Sequence, residues 1–410
     1  MSACSPASAT VHDVLIVGGG LVGGALACAL GQAGLRVAVV DHEDPARLVR
    51  PEYDGRASAV ALTARNALAA VGVWTGVAPH AQPILDIRVT EGDSPLFLQY
   101  GAEVRDDRPF GWMAENRVLR RALLARMAAL PSVTLYAPAR LAELSRDTDR
   151  AHAWLDDGRT LAAALVVAAD GRNSAVRRQA GIGVVDWDYG QHGIVCTVGH
   201  ERPHRGIAHE RFLPAGPFAI LPLPGNRSSI VWAERADLAP AILAQDDEGF
   251  LAELRLRFGD FLGDLALDGP RFSHPLGLRL ALRYVDRRLA LVGDAAHGLH
   301  PIAGQGMNMG IRDVAALAEL VVERHRLGLD IGDPAVLARY QAWRRFDNLL
   351  MAAMTDGINR LFSNRIPPLR LVRDLGLAAV HRMPPLKRLF ARHAMGLAGD
   401  LPRLLRGEAP

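Results

Sequence analysis

The fold is decided by residues 14–23, Val-Leu-Ile-Val-Gly-Gly-Gly-Leu-Val-Gly, in which a short apolar run meets a glycine-rich turn. A helical pattern follows over Leu21–Gly34, and a second apolar run, Val37–Val40, ends at Asp41. Strand, glycine turn, helix and strand in this order predict a βαβ unit with a parallel strand pair. Such a unit is the first element of a doubly wound sheet.

The glycine turn has the GxGxxG spacing of a dinucleotide-binding site. Gly18 permits the tight turn, Gly20 lets a pyrophosphate approach the backbone, and Gly23 lets the helix pack close to the strand. Asp41, at the end of the second strand, is placed to accept a ribose hydroxyl. Glycine turns also occur for purely steric reasons, but the strand, helix and terminal acid in register favour dinucleotide binding. Because the acid disfavours a 2′-phosphate, FAD or NAD fits better than NADP.

Two further apolar strands end in an acidic residue beside glycine. Asp170-Gly171 follows one of them, and Gly293-Asp294 follows the other. Carboxyl ends of parallel strands share one edge of a sheet, where open α/β sheets bind ligands. The alternative is a tight turn with Asn173 or Ser174 capping the next helix in the first case, and a buried turn before a helix cap in the second. Three such strand ends together favour one extended cofactor.

Composition excludes several classes of protein. The 410 residues, half of them hydrophobic, can fill a sizeable core, and a net charge of +3 is too balanced for a dedicated nucleic-acid binder. No apolar run approaches the roughly 18 residues of a membrane-spanning helix. Three scattered cysteines argue against disulfides and structural zinc, so no metal site is expected. The N-terminus carries no secretion signal, so the expected location is the cytoplasm.

We predict an α/β protein with a discontinuous Rossmann-like nucleotide-binding domain, an inserted antiparallel β-sheet (an α+β insertion) that binds substrate, and a C-terminal helical tail. The inserted segment is recognised by alternating polar and apolar residues between turn signals, as in Ser228–Trp232. The predicted bounds are residues 1–75, 113–185 and 281–345 for the nucleotide domain, 76–112 and 186–280 for the substrate domain, and 346–410 for the tail.

The stretch from His300 to Asp313 carries a more specific resemblance. It matches the signature HPxxGQGxNxGxxD, which belongs to the ubiquinone-biosynthesis hydroxylases. With the glycine turn, Asp41, and the Asp170 and Asp294 segments, the chain resembles this subfamily of the group A aromatic hydroxylases, which have the para-hydroxybenzoate hydroxylase fold. The likeness spans about residues 13–405, and shorter matching segments are Asp54–Ala57, Leu68–Trp74, Glu115–Arg117 and Gly216–Leu223.

The resemblance implies a FAD-dependent monooxygenase. Family members bind FAD, accept electrons from NAD(P)H or a protein donor, and use O2 as co-substrate. A flavin C4a-hydroperoxide then hydroxylates a ring carbon, here that of a polyprenylated phenol or related quinone precursor in ubiquinone biosynthesis. Alternatives are a hydroxylase of another aromatic substrate, an oxygen-independent flavin oxidoreductase, and a flavin-bearing scaffold subunit without turnover. The chain has no second GxGxxG, so no separate nicotinamide domain is expected.

The motifs and the resemblance together assign the site residues. Amides at the start of the helix after Gly306 would stabilise reduced, anionic flavin by roughly 0.3–2 kcal/mol. His300 is a candidate acid/base, with orientation of the Pro301 loop as the alternative. Arg56 is the second catalytic candidate, near the flavin or pyrophosphate, with a solvated loop arginine as the alternative. Arg117 resembles the residue placed near the ribityl phosphate, with a surface helix charge as the alternative. The expected FAD contacts are Gly18, Gly20, Gly23, Asp41, Arg56, Arg117, Asp170, Gly171, Asp294, Pro301, Gly304, Gln305, Gly306, Met307 and Asn308.

Residues 360–410 form a basic tail. Ten basic and three acidic side chains give it a net charge of +7, whereas the rest of the chain sums to −4. Helices with arginines beside apolar side chains suit an anionic membrane surface, or a partner in a quinone-biosynthesis complex. The alternative is that they pack on the main body with the arginines outward. The first interpretation places the protein peripherally on the inner face of the membrane, and self-association is left open.

Overall fold

The computed structural model describes residues 9–49, 55–92, 94, 97–105, 108–363, 373, 380 and 382–410. Asp54, which belongs to one of the resembling segments, and most of residues 364–381 of the basic tail lie outside the described residues. Among the residues described, no helix is both long enough and apolar enough to span a bilayer.

The strands follow one another along the chain with helices between them. In chain order they are β1 (Thr10–Val17), β2 (Val37–Val40), β3 (Ala57–Ala61), β4 (Gln82–Ile84), β5 (Asp86–Glu91), β6 (Phe97–Tyr100), β7 (Gly111–Glu115), β8 (Val133–Tyr136), β9 (Leu141–Arg146), β10 (Ala151–Leu155), β11 (Thr160–Ala168), β12 (Val184–His200), β13 (Ile207–Leu213), β14 (Gly216–Leu223), β15 (Arg227–Arg235), β16 (Leu265–Leu267), β17 (Phe272–Ala281), β18 (Val285–Asp286), β19 (Leu289–Leu291) and β20 (His297–Gly298).

The helices are of very different lengths. In chain order they are α1 (Leu21–Gln32), α2 (Pro45–Leu48), α3 (Leu62–Ala70), α4 (Trp74–Val77), α5 (Ala102–Arg105), α6 (Asn116–Ala128), α7 (Ala175–Gln179), α8 (Ala239–Leu243), α9 (Asp247–Phe258), α10 (Gln305–Arg326), α11 (Pro334–Phe362), α12 (Pro384–Ala394) and α13 (Arg403–Arg406), with 3-10 turns at Ala78–His80, Gly293–Ala295 and Ile302–Gly304.

The first sheet is the parallel one. Its strands β8, β2, β1, β11 and β19 lie side by side in that order, all parallel. The chain moves from β1 to β2 on one side and later returns to β11 on the other, so a topological switch point lies between β1 and β11. The hairpin of β9 and β10 extends β11 antiparallel. β9 is polar and half exposed, whereas Ala151, Ala153 and Leu155 of β10 are buried, and the sequence pattern predicted neither strand.

The second sheet is antiparallel except where β13 pairs with β5. Its order is β20-β17-β12-β15-β14-β13-β5-β6, with β16 paired to β12. One face is covered by α8 and α9, where Phe250 and Phe258 pack with Trp232 in a separate core. The other face, here called the inner face, contacts helix α11, as in the packing of Leu278 and Leu280 with Ala352 and of Phe212 with Phe362. A small additional sheet pairs β7 with β3 and β4. The predicted fold class, a Rossmann-like domain with an inserted antiparallel sheet, is confirmed.

The described part of the basic tail packs on the main body. Ala391 and Met395 join a core with Leu62 and Met113, and the Lys387 ammonium lies 2.7 Å from the Glu103 carboxylate. The backbone amide of Arg403 donates to Glu319 at 2.7 Å, and Leu404 and Leu405 are each 1% exposed. These residues of the tail therefore pack on the main body, and Arg388 and Arg392 remain exposed on α12.

Candidate active site

The acidic residues predicted from the strand ends lie along one edge of the parallel sheet. Val17, the last residue of β1, pairs with Val40 of β2 on one side and with Ala168 of β11 on the other. Ala168 in turn pairs with Leu291, the last residue of β19. The strands therefore end in one row. The residues that follow the strand ends lie together at the carboxyl edge of the sheet, and they are the Gly18 turn, Asp41, Asp170 and Asp294.

The glycines of the turn have different physical roles. Gly18 has a φ of +102°, and a Cβ built there would lie 2.3 Å from the carbonyl oxygen of Ala169. A Cβ on Gly23 would lie 1.9 Å from the carbonyl oxygen of Gly18. A Cβ on Gly20 meets no atom within 4 Å. Gly18 and Gly23 are therefore required by the fold itself, whereas Gly20 leaves its backbone accessible to a ligand.

Asp41 lies directly beside this turn. Its carboxylate accepts hydrogen bonds from the backbone amides of Gly19, at 2.5 Å, and Glu43, at 2.8 Å. The side chain is half-buried. The acid is thus held at the edge of the glycine turn, which is where a carboxylate reaches the ribose of a bound dinucleotide.

Asp170 serves the helix that follows it. Its Oδ2 accepts hydrogen bonds from the amides of Ala175 at 2.7 Å and Val176 at 3.1 Å, and Ser174 Oγ accepts from the Arg177 amide at 2.9 Å. The cap by Ser174, which the turn interpretation predicted, is confirmed, and Asp170 caps the helix with it. Asp170 Oδ1 is buried and has no partner among the described atoms. Gly171 has a φ of +79°, as the tight turn requires.

The third motif contacts the first through Val22. A Cβ on Gly293 would lie 3.2 Å from the Val22 side chain, and one on Gly310 would lie 2.5 Å from it. Asp294 has no hydrogen bond or ion pair to any described residue, although solvent reaches its side chain. The surrounding protein raises the pKa of Asp294 by desolvation, an effect that His297 and Arg172 only partly offset. This combination identifies a carboxyl that lines a cleft.

Helix α10 begins at the same cleft. Gly304 precedes it in the left-handed conformation, with a φ of +60°. The Asn308 side chain joins the helix to β3, since its Oδ1 accepts from the Ala61 amide at 2.9 Å and its Nδ2 donates to the carbonyls of Ala59 and Gly304 at 2.9 and 3.0 Å. Asn308 therefore acts structurally through its side chain. The first turn of such a helix presents amides that have no partner within the helix. Gln305 is buried, and Pro301, Gly306 and Met307 are half-buried.

His300 is fully buried beside this helix start. Its Nε2 lies 3.3 Å from Gln191 Oε1, and its ring contacts Tyr189 edge-on with centroids 5.2 Å apart. Burial lowers the pKa of His300 to about 4, so the imidazole is neutral at physiological pH. Its Nδ1 has no partner among the described atoms. These contacts favour the interpretation that His300 orients the Pro301 loop.

The two arginine candidates lie immediately before β3 and in the first turn of α6. Arg56 is exposed, and its carbonyl accepts a hydrogen bond from the Asn116 amide at 2.9 Å. The Arg117 guanidinium lies 2.6 Å from the Glu115 carboxylate. Arg117 also lines a cavity of about 280 Å³ together with Arg121 and the basic residues His80 and Arg227. Glu115 lines the same cavity and pairs with Arg117 and Arg227, so three arginines face one carboxylate, and the excess of positive charge suits a phosphate.

Asp313, the last residue of the signature, organises a buried network that the sequence pattern did not reveal. Its Oδ2 accepts from the Gly293 amide at 3.0 Å and from His297 Nε2 at 2.5 Å. Its Oδ1 accepts from Arg344 Nε at 2.8 Å and Asn348 Nδ2 at 3.2 Å. The network fastens the loop after β19 to helices α10 and α11 and thereby positions Asp294. Only the spacing from Gly293 to Asp313 could have signalled it.

Replacing Asp313 with asparagine is expected to cost about 3–5 kcal/mol, because the buried Arg344 keeps only Asp347 of its two carboxylate partners and His297 loses its own. Burial alone would raise the pKa of Asp313, but His297 and Arg344 outweigh it and hold the pKa well below its usual value. The carboxylate therefore stabilises the fold above the ordinary carboxyl pKa, and that contribution is lost as the pH falls toward the folded pKa. Urea unfolding at neutral and acid pH measures both effects. Asp157→Asn, in the exposed pair of Asp157 with Arg159, is the control and should leave the free energy of unfolding unchanged. Equal stability of wild type and Asp313→Asn would contradict the role of the network.

The strand-end site fits FAD on several observations of this structure. Gly20 leaves the turn accessible, Asp170 Oδ1 has no described partner, and the exposed Asp294 pairs with none of the described residues. The class of protein that this fold and site define is a dinucleotide-binding flavoprotein. In agreement, a family model described as "FAD binding domain" matches residues 11–346.

Comparison with known proteins narrows the class. The chain is 60% identical to a ubiquinone hydroxylase, UbiL, of Rhodospirillum rubrum, covering 97% of this chain and 93% of that protein. It is 40% identical to the 3-demethoxyubiquinol 3-hydroxylase of Escherichia coli, covering 94% and 98%. The crystal structure of p-nitrophenol 4-monooxygenase PnpA from Pseudomonas putida has the same fold, with a TM-score of 0.79, 22% identity and coverage of 94% and 98%. The chain belongs to the FAD-dependent monooxygenases of the ubiquinone-hydroxylase family, and the resemblance seen in the sequence is confirmed.

Proposed function

We propose that this enzyme hydroxylates a ring carbon of a polyprenylated phenol or related quinone precursor in ubiquinone biosynthesis. The observation that carries the proposal is the convergence of the acidic strand ends and the start of α10 at one edge, opposite the inner face of the second sheet. The names of the similar hydroxylases from R. rubrum and E. coli support a quinone precursor as substrate.

The residues at the strand ends are assigned to FAD along its length. Asp41 accepts a ribose hydroxyl, and the Gly20 backbone lies against the pyrophosphate. Asp170 and Asp294 accept hydrogen bonds from the central part of the cofactor, between the pyrophosphate and the ring. The amides at the start of α10 stabilise negative charge on the ring system. When bound, FAD supplies the activation of O2; the protein residues bind it, orient the substrate and exclude water.

NAD(P)H or a protein donor reduces the enzyme, and O2 is the co-substrate. Arg117 and the cationic cavity beside it would hold a phosphate, either of FAD or of a reductant that binds transiently. We propose the same division of the chain as the sequence indicated, with FAD bound by residues 1–75, 113–185 and 281–345, and substrate by residues 76–112 and 186–280.

Labelled oxygen tests the proposed function. Reduced holoenzyme is mixed with ¹⁸O2 and a short-chain polyprenylated phenol, and the extracted ring is analysed by mass spectrometry. We expect one labelled oxygen on the ring. Reoxidation of the flavin with unlabelled, unchanged phenol across a panel of prenylated phenols and quinols would contradict it. Complementation of a deletion strain distinguishes an enzyme from a scaffold without turnover. A variant that has lost flavin binding, such as Asp294→Ala, would restore hydroxylation only if the protein is a scaffold.

We propose further that the protein contacts the inner face of the cytoplasmic membrane through α12. Its outer face places Leu389, 50% exposed, between the exposed Arg388 and Arg392, and Met383 is 52% exposed nearby. Apolar side chains among arginines suit an anionic lipid surface.

Removing the exposed apolar side chains of α12 tests the membrane contact. Leu389→Ser with Met383→Ser is expected to weaken sedimentation with phosphatidylglycerol vesicles about tenfold or more, since burying one such side chain is worth roughly 1.5–3 kcal/mol. Leu256→Ser, on α9 and 77% exposed in the wild type, is the control and should bind as wild type. Equal sedimentation of all three proteins would refute the contact.

A further inference from the structure

One row of side chains crosses the inner face of the second sheet from strand to strand. Strand register places its members directly beside one another, and directly paired residues share a face of the sheet. In spatial order the row is Phe272, Val195, Val231, Ala219, Glu210, Val89 and Leu98. Within this row of described residues, Glu210 is the one ionisable side chain.

The row lies on the face of the sheet that contacts helix α11 and the loop of His300. The alternate residues of the same strands, such as Ile230 and Phe218, pack with the helices on the opposite face. At one end of the row, a Cβ on Gly55, next to Arg56, would lie 2.4 Å from the Phe272 ring. On the same face, Gln191 hydrogen-bonds His300. Phe272 and Gln191 therefore place the β17–β12 end of this face against the two loops that border the proposed flavin-ring site, and Glu210 lies on the fourth strand along the row from Phe272.

Most of the row is apolar and half-buried, as expected of a surface that lines a cleft. Val195, Val231 and Phe272 are all half-buried although their strands lie within the sheet. The residues around them on this face are small, including Gly193 and Ala233. An apolar lining of small side chains leaves room for an aromatic ring and excludes water from it.

Glu210 is unusual in these surroundings. Its neighbours along β13 on the same face, Ala208 and Phe212, are 5% and 6% exposed, and those across the sheet are Val89 and Ala219. Among the described residues, no group donates a hydrogen bond to its carboxylate or pairs with it. Desolvation by the surrounding protein raises the pKa of Glu210 to about 7.

Nearby charged groups are engaged elsewhere. Two strand positions away, Glu91 pairs with Arg373 at 2.5 Å, and Arg373 also lies over the ring of Phe362, which stacks on Phe212. Tyr100, further along this face, has a pKa raised to about 12 by burial and stays neutral. The neighbours of Glu210 in sequence, His209 and Arg211, point to the opposite face of β13. Glu210 is itself half-buried, so its carboxylate is open to a ligand, and because a carboxylate without a described partner costs stability among apolar side chains, its presence points to a ligand that donates to it.

We propose that Glu210 is a catalytic residue that accepts the hydroxyl proton of the phenol substrate, an inference that rests on the proposed function. The phenol O–H bond breaks, an O–H bond forms on the Glu210 carboxylate, and the electron pair stays on the phenol oxygen. That pair delocalises into the ring and makes the ortho and para carbons more nucleophilic. After hydroxylation the proton returns from Glu210 to the product oxygen, so the carboxylate is restored.

The test measures binding and ionisation of a phenol as well as turnover. Wild-type holoenzyme and Glu210→Gln are titrated with a short-chain 2-prenyl-4-fluorophenol between pH 5.5 and 8.5, with ¹⁹F NMR reporting the ionisation of the bound phenol. A charge-assisted hydrogen bond requires the carboxylate, so wild-type binding should strengthen as the pH rises through about 7. We expect Glu210→Gln to bind about tenfold to a hundredfold more weakly at pH 8, with no such pH dependence and with the bound phenol fully neutral.

Stability separates this role from a structural one. Because the pKa of Glu210 is raised, the folded protein loses stability as the pH rises from the ordinary carboxyl pKa to about 7. Glu210→Gln removes this loss, so the variant should keep its flavin and melt no lower than wild type at pH 8. Glu234→Gln is the matched control on the opposite face. Glu234 pairs with Arg257 at 3.1 Å, so this variant should lose stability and keep the pH dependence of phenol binding.

Each remaining outcome overturns the inference in a distinguishable way. If wild-type holoenzyme binds the phenol and Glu210→Gln binds it with the same affinity and pH dependence, Glu210 is not the acceptor. If Glu210→Gln loses its flavin or melts well below wild type, the residue is structural. If wild-type holoenzyme binds no prenylated phenol at all, the proposed function fails and the role of Glu210 falls with it.

Discussion

Gly18→Ala is expected to purify almost free of flavin and to be destabilised by about 2–5 kcal/mol. The residue has a φ of +102°, and the added Cβ would lie 2.3 Å from the carbonyl oxygen of Ala169, a backbone atom that cannot move without displacing β11. A left-handed conformation costs an ordinary residue roughly 1–2 kcal/mol, and overpacking a dense site costs roughly 1–3 kcal/mol more. The ratio of flavin to protein absorbance and urea unfolding of the purified variant measure the two effects.

Gly20→Ala is the matched control within the same turn. Its added methyl meets no protein atom within 4 Å, so the flavin-free protein should unfold as wild type does. The methyl would nevertheless stand where the pyrophosphate approaches the backbone, so FAD should bind more weakly. Wild-type flavin content in both variants would show that this turn does not hold the cofactor.

Asp294→Ala should also yield largely flavin-free protein, but without loss of stability. Asp294 has no described partner to lose, and the surrounding protein already raises its pKa by desolvation. A hydrogen bond to a charged group contributes roughly 1.5–3 kcal/mol, so FAD should bind about tenfold to a hundredfold more weakly. Asp294→Asn, which still offers an oxygen acceptor, should retain more flavin than Asp294→Ala.

Titration of the flavin-free proteins with FAD and thermal melting measure these differences. Asp247→Ala on α9, where the native side chain is 75% exposed, is the control and should keep a full complement of flavin. If Asp294→Ala purifies fully yellow, the assignment of the third motif to the cofactor is wrong.

The parts of the site that are local in sequence could be predicted. The turn at Gly18–Gly23 and the acid at Asp41 depend on a strand, a helix and a strand that follow one another directly, so their spacing alone predicts their arrangement. Asp170 and Asp294 could be predicted because each directly follows an apolar strand, and these strands, β11 and β19, pair in parallel with one another, while β11 also pairs with β1. Their common edge is a consequence of parallel pairing.

The parts of the site that depend on long-range packing could not be predicted from the sequence. The partners of Asp313 lie 20 residues before it and 31 residues after it, and only the packing of α10 on α11 brings Gly293 and Arg344 to one carboxylate. Glu210 stands in an alternating strand, where either face could be buried; the register with β14 and β5 decides it. Asn308 matched the signature, but its side-chain bonds to β3 join residues more than 240 positions apart.

The histidine of the signature illustrates the same limit. A histidine beside a glycine-rich loop suggests proton transfer, but burial lowers the pKa of His300 to about 4. Burial of this kind depends on tertiary packing, which the sequence alone does not show. It disfavours His300 as the proton acceptor and favours Glu210 on the second sheet.

We propose that one FAD joins the acidic strand ends to the start of α10. A crystal structure of the holoenzyme tests it most directly. We predict a single flavin with its ribose at Asp41, its pyrophosphate at Gly20, Asp294 within hydrogen-bond distance of its ribityl chain, and its ring facing the row that contains Glu210. A flavin bound elsewhere, or one that leaves Asp41 and Asp294 without a common ligand, would contradict the account.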